Sequence, residues 1–374
     1  MRYPSFIAMV FLVFARSVFA QTSMNPDISV IPRFLLETND GTKFPATRKF
    51  SQPDFSFQEL EIAISSYLNP YAKADVVLTL PGPDLEEGKL GLEELYATVL
   101  RGLPLDINLR LGKYRVDFGK LNLQHPHAWS SITQPLSQER FLGEEGLNDL
   151  GLSASVLLPT GDVYSKLTVD ILRGAAIGEA SGIEDTSGNK PTYATSGRLM
   201  GFFTLGDYTD LETGISLYTG IHDPYNRDRF LYLNYDFKFK YKPSAYTALV
   251  LQGEFLYNMR TASQDRDLNQ FVDVNGNPER EDVHTAGLYF FADHQFFKIF
   301  SVGGRFDWSQ SPYSKDDEVR AVAVFFGYYP VEETLGLRLQ YQNRTDELPG
   351  FSQSVNSIGL QVLFSLGPHK AHPF

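Results

Sequence analysis

The stretch Leu231-Tyr232-Leu233-Asn234-Tyr235-Asp236-Phe237-Lys238-Phe239-Lys240 decides the fold, because Leu231, Leu233, Tyr235, Phe237 and Phe239 alternate with Asn234, Asp236, Lys238 and Lys240. A strand sends successive side chains to opposite faces, so this segment has one apolar and one charged face. The same pattern sets Leu105, Ile107, Leu109 and Leu111 against Asp106, Asn108 and Arg110. Such runs, about 9 to 13 residues long, recur about sixteen times. Strands of soluble sandwiches are about half that length, whereas a tilted strand crossing a bilayer needs about 9 to 11 residues.

Working outward, the expected strands are 27–37, 55–67, 71–81, 90–100, 105–117, 148–158, 164–174 and 196–206, followed by 210–220, 229–241, 245–259, 281–293, 297–308, 317–328, 334–344 and 355–366. The even-numbered connectors are tight, as at Asn69-Pro70 and Lys242-Pro243-Ser244, while the longest odd ones run 119–147, 175–195 and 260–280. That sorting predicts an all-β, antiparallel transmembrane β-barrel of about 16 strands, with short periplasmic turns, long extracellular loops and both termini in the periplasm. The clusters at 185–191 and 273–278 read as exposed turns.

Composition agrees. Mean hydropathy is only -0.21 despite 29 Phe and 20 Tyr, as expected where only alternate strand residues meet lipid. The chain has no cysteine, which removes disulfides and thiolate metal sites. Arg2, the apolar run from Phe6 to Phe14, and Val18-Phe19-Ala20 before Gln21 read as a signal peptide over 1–20. The expected mature chain, 21–374, is a single barrel domain in a bacterial (Gram-negative) outer membrane. Losing Arg2 and Arg16 with no acid takes the formal charge from -12 to about -14, which argues against nucleic acid as a partner. Aromatics near strand ends, including Tyr241, Tyr246, Phe296, Phe297, Trp308, Tyr313, Phe326, Tyr328 and Tyr329, are expected to form girdles at the headgroup boundary.

The polar parity then defines a lumen. Glu59, Glu61, Asp106, Asn108, Asn234, Lys240, Gln252, Asp307, Gln340, Gln342 and Gln361 fall on it, as do the leading wall candidates Arg110, Asp236, Lys238, Glu254, Arg305 and Arg338. A barrel of about sixteen strands is wide enough for an aqueous channel. The fifth connector, 119–147, carries more apolar and aromatic residues than the other long loops, and burying them requires folding it inward. His125, His127, Glu139, Arg140, Glu144 and Glu145 are then the constriction candidates.

The stretch Gly112-Lys113-Tyr114-Arg115-Val116-Asp117-Phe118-Gly119 is similar to the Gly-Lys/Arg-x-x-x-x-Phe-Gly element of the phosphate-selective porins, which precedes their inward loop. Ser66-Tyr67-Leu68-Asn69-Pro70-Tyr71, His125-Pro126-His127 and Phe141-Leu142-Gly143-Glu144-Glu145-Gly146 also resemble elements of porin-like outer-membrane proteins, some labelled as receptors. The resemblance implies passive diffusion of small hydrophilic solutes or ions, an eyelet loop, and a homotrimer. An alternative is a substrate-specific channel or receptor with a ligand site, metal-related or other, in the lumen. The dense lysine and arginine run of the phosphate-selective group is missing, so phosphate transport is not carried over. No enzyme is expected, since His222, His284 and His294 form no recognisable triad. No cofactor or metal is expected either. His125 and His127, like His369 and His372 of the tail, show no carboxylate support at sequence level, and the insertion aromatic is Phe364 or Phe374.

Overall fold

The computed structural model describes residues 26–41, 50–82, 88–174, 192–223, 228–262, 281–331 and 334–368. The expected signal peptide, the turn clusters at 185–191 and 273–278, and the histidines of the tail lie outside them. The strands are β1 (Asp27–Asn39), β2 (Asp54–Asn69), β3 (Ala72–Pro81), β4 (Gly91–Val99), β5 (Asn108–Arg115), β6 (Asn148–Leu158), β7 (Tyr164–Leu172) and β8 (Ala194–Gly206). They continue with β9 (Thr209–Asp223), β10 (Asp228–Ser244), β11 (Thr247–Ala262), β12 (Glu281–Phe296), β13 (Phe300–Ser311), β14 (Ser314–Val331), β15 (Leu335–Leu348) and β16 (Phe351–Phe364). Each pairs antiparallel with its sequence neighbours, and β1 also pairs with β16, which closes the barrel. Closure leaves no strand edge, the condition for placing β-structure in hydrocarbon.

The alternation of the sequence becomes two surfaces. Along β10, Leu233 and Tyr235 are 41% and 50% exposed on the outside, while Asn234 and Asp236 are 3% and 0% exposed within. Near the periplasmic ends, Phe300 stacks between Tyr328 and Phe326, with ring centroids 5.1 and 5.8 Å away, a lipid-boundary girdle. Tyr313 and Tyr329 depart from the girdle expectation and turn inward: Arg260 sits 4.3 Å over the Tyr313 ring, and the Tyr329 hydroxyl accepts a bond from Arg338.

Three further features of the wall bear on the interior. β5 begins at Asn108 rather than at 105, because Leu105 and Asp106 take φ of 58° and 52° in a tight 3-10 turn after Pro104. Asp106 is therefore a turn residue and no part of the lumen wall. The connections from Ser311 to Ser314 and from Leu348 to Phe351 are as tight as periplasmic turns although they lie at the opposite rim. The inward face of β14 is apolar, with Val319, Ala321, Ala323 and Phe325 all buried, so something other than water packs against it.

Outward Val322, near the middle of β14, is 52% exposed. We expect Val322→Arg to cost about 2–4 kcal/mol in denaturant unfolding from lipid vesicles, the midplane penalty for an arginine facing lipid.

Candidate pore constriction

β5 stops at Arg115, and residues 116–147 leave the wall and cross the interior. Both glycines of the Gly112–Gly119 element are forced. At Gly112 (φ 137°) a Cβ would lie 2.1 Å from the Leu95 carbonyl oxygen, and at Gly119 (φ 67°) 2.2 Å from a Glu254 carboxylate oxygen. Between them Asp117 receives Lys166 at 2.8 Å, Arg198 at 2.9 Å and the Thr168 hydroxyl. Burial pushes the Asp117 carboxyl up, but Arg198 and Lys166 outweigh it and hold the group well below the usual carboxylate range.

Glu254 of β11 captures the next turn of the loop. One oxygen accepts the backbone amides of Lys120 (3.1 Å) and Leu121 (2.6 Å) and the Tyr289 hydroxyl, while the other accepts Asn234 and Gln138. Lys120 itself reaches Glu212 of β9 at 2.6 Å, and burial draws its ammonium pKa down. The chain then crosses to the opposite wall, where His125 and His127 meet β2 and β4. His127 Nδ1 lies 3.0 Å from Glu61, and His125 Nδ1 lies 3.4 Å from Glu61 and 3.5 Å from Glu93. Burial pushes the His125 imidazole down, and the Glu61 charge with the nearby carboxylates of Glu93 and Glu94 overrides it, raising the pKa to about 10.

A third wall holds the return path. Arg338 of β15 donates to the His127 carbonyl at 2.6 Å, Gln340 accepts the Ile132 amide at 2.8 Å, and Gln342 accepts the Thr133 hydroxyl at 2.7 Å. Arg305 of β13 donates to Ser131, to Thr133 and to the Gln134 carbonyl. Helix α1 (Leu136–Leu142) follows Pro135 and ends at Gly143, φ 85°. It explains the apolar face of β14: Leu136 packs on Val319 and Ala321, and a Cβ at Gly287 of β12 would come within 2.8 Å of Ser137. Arg140 pairs with Asp317 at 2.7 Å, and Glu139 approaches Arg344 at 3.6 Å. Phe118, Phe141 and Leu142 share a buried cluster with the inward rings of Tyr114, Tyr218, Phe230 and Tyr232.

Of the residues expected from sequence, Asp236 pairs with Arg198 at 2.7 Å, and Arg110 sits over the rings of Tyr96 (4.7 Å) and Tyr114 (5.3 Å). Lys238 and Arg305 line a cavity of about 130 Å³ beneath Trp129. A second cavity of about 320 Å³ opens on the periplasmic side between His127, Trp129, Lys240, Lys298 and Arg338. Glu144 and Glu145 are exposed at the end of the loop, apart from this band.

The sequence reading missed Asp117, Arg198 and Glu212, of which the last two lie on the same inward parity and were available to it. It also missed Glu93 and Glu94, for a different reason. A register shift between Val77 and Leu78 pairs Glu94 with Val77 and Leu92 with Leu78, so Glu93 is the extra residue of a β-bulge. Both neighbours are buried, at 6% exposure each, against the period-2 rule.

No family model matches the chain. A protein of Aquifex aeolicus described as uncharacterized is 28% identical over 351 residues, 86% of this chain and 70% of that one. The outer membrane channel DcaP of Acinetobacter baumannii superposes with a TM-score of 0.58 at 12% identity, covering 91% of this chain and 97% of its own. The anion-selective porin from Comamonas acidovorans gives 0.58 at 9% identity, covering 91% and 99%. OmpT of Vibrio cholerae gives 0.53 at 9%, covering 91% and 97%. The fold is that of the outer-membrane porins. Within this porin fold, residues 116–147 connect the fifth and sixth strands and lie against inward side chains of β2, β4, β9, β11, β13 and β15.

Replacing Glu254 by Ala strands two buried amides and three side-chain donors, and is expected to remove on the order of 3 kcal/mol of loop docking. Hydrogen exchange at Lys120 and Leu121 should accelerate by about 100-fold. The depressed Asp117 pKa stabilises the docked loop fully above its ordinary value of 3.8 and loses that contribution as pH falls through the lower folded value. Acid-induced exposure of the loop, followed by proteolysis, should therefore shift to higher pH in Asp117→Asn, which has lost the contribution at every pH.

Proposed function

We propose that this chain is a bacterial outer-membrane porin passing small hydrophilic solutes or ions through a lumen that residues 119–147 narrow. The observation that carries the reading is the path of that segment, tied in turn to β11, to β2 and β4, and to β15 of one closed barrel. The outward apolar band makes the lipid bilayer its first partner, and the polar inward parity supplies the wall of a water path. In this reading Arg110, Asp236, Lys238, Glu254, Arg305 and Arg338 shape the wall. His125, His127, Glu139 and Arg140 shape the loop face, and Glu144 and Glu145 form its outer lip. Residues 1–20 are the export signal, 21–374 the barrel, and the assembly a homotrimer. The protein performs no catalysis.

A second reading, a substrate-specific channel, is favoured by one observation. Asp236, Asp307 and Gln361 are each 0% exposed, although they face the lumen. A wide diffusion pore would wet such groups, whereas a selective one keeps them in contact with a fitted loop.

The test is single-channel conductance of the refolded protein in a planar bilayer under a salt gradient, compared with Arg305→Ala/Arg338→Ala. Stable steps in the wild type that grow at least about twofold in the variant support a porin narrowed by its loop. A silent wild type with a conducting variant supports the specific channel, and silence in both, with folded barrels, overturns the proposal.

A further inference from the structure

We propose that Glu61, Glu93 and His125, with Glu94 and His127 alongside, bind one divalent first-row transition-metal ion of the zinc class, and that this ion fastens the loop to β2 and β4. One donor atom from each of the first three residues lies within 4.8 Å of the others. The spacing matches a metal better than that ceiling suggests. His125 Nδ1 is 3.4 Å from Glu61 Oε2 and 3.5 Å from Glu93 Oε1, and ligands about 2.0–2.1 Å from a tetrahedral ion stand roughly 3.4 Å apart.

A plain cluster of ion pairs leaves two observations unexplained. Arg115 takes Glu93 through one oxygen, with Nε and Nη2 both on Oε1, while the buried Oε2 has no hydrogen-bond partner among the described residues. The Glu93 side chain is only 5% exposed, so bulk solvent does not reach that oxygen. His125 Nδ1 is likewise buried between two carboxylates without a hydrogen bond of acceptable geometry. His125 Nδ1 is the imidazole donor itself, and Glu93 Oε2 is the unbonded oxygen of a carboxylate whose Oε1 Arg115 holds, so Glu93 presents one free oxygen to an ion while the arginine gives the carboxylate second-sphere support.

The remaining neighbours complete the pattern. The other ring nitrogen of His125, Nε2, faces Glu94 at 3.8 Å, the carboxylate–histidine arrangement that orients a metal-bound imidazole. His127 stacks on His125 with centroids 5.8 Å apart and places its Nδ1 3.0 Å from Glu61 Oε2, so a small shift makes it a fourth ligand. Metal binding displaces the His125 proton, and with a neutral imidazole three carboxylates face one guanidinium, an excess of two negative charges that a divalent ion balances. Imidazole donors select zinc-class ions over magnesium or calcium, which take oxygen. The bulge at Glu93 turns two consecutive glutamates inward and builds the site. His125 has the most exposed side chain of the donors, at 18%, and gives the ion its entry.

Because the site lies on the proposed constriction, its effect on transport rests on the porin reading, but binding does not, and the two are measured separately. Refolded protein stripped with a chelator is titrated with zinc chloride by isothermal calorimetry, each variant being used after it shows the heat-modifiable gel mobility of a closed barrel. We expect one site per chain in the wild type, weakened at least about tenfold in His125→Ala and in the isosteric Glu93→Gln, and unchanged in His369→Ala/His372→Ala. Absence of saturable binding to the folded wild type overturns the proposal. So does binding that His125→Ala and Glu93→Gln retain, or that the tail variant abolishes.

Discussion

A backbone polar group in hydrocarbon has no water to turn to, and that constraint organises the whole molecule. It demands that β1 find β16, that every strand be long enough to cross, and that each strand carry lipid-compatible side chains on one face only. The other face is then free to be polar, and in a barrel of this size it encloses more space than wall side chains alone fill. The interior must hold either water or protein. Here a large part of it holds protein: residues 116–147 bring their own apolar cluster, with Phe118, Phe141 and Leu142 against Tyr218 and Tyr232, and cover mid-barrel groups that a bare lumen would leave wet.

The loop is held by charge as much as by packing. Buried ions are costly to desolvate, and their mutual attraction offsets the cost only when the remaining donors and acceptors are also satisfied. Arg198 meets this condition in large part, bonding Asp117, Asp236 and the Gly119 carbonyl from a side chain that is 2% exposed. Glu254 meets it by accepting from two loop amides and three side chains. Removing one partner of such a network leaves the other stranded. Loop position and wall charge are therefore coupled, and the electrostatics of a transport path in this barrel cannot be read from the wall alone.

Much of this was legible in the sequence because membrane β-structure writes a period-2 signal over long runs. Leu233 and Tyr235 against Asn234 and Asp236 gave the correct faces, and all sixteen strands lay where alternation placed them within a few residues. The signal fails where the backbone leaves the period. Leu105 and Asp106 kept the chemical alternation while the chain was already turning, and the bulge at Glu93 put two neighbours on one face. Loop content showed that 119–147 needed cover, yet the partners of that cover were scattered from Glu61 to Gln342, and only the closed barrel brings them together. The small residues beneath α1, Gly287 of β12 and Ala321 of β14, carried a trace of the docking site, since neither strand supplied a residue to the polar parity that defined the lumen.

The absence of native cysteine makes the central claim, that the loop docks on the inner wall, directly testable by cross-linking. The Ser137 Cβ lies 2.8 Å from where a Gly287 Cβ would stand, so the helix and β12 must part by about 0.7 Å or more to reach the roughly 3.5–4.5 Å that a disulfide spans. Under mild oxidation of the refolded barrel, Ser137→Cys/Gly287→Cys should form an intramolecular disulfide nearly to completion, while Ser137→Cys/Ser165→Cys, whose second cysteine sits at the periplasmic end of β7, should keep both thiols free. Free thiols in the first pair, in a barrel with the mobility of the folded form, would contradict the docked loop and the account built on it.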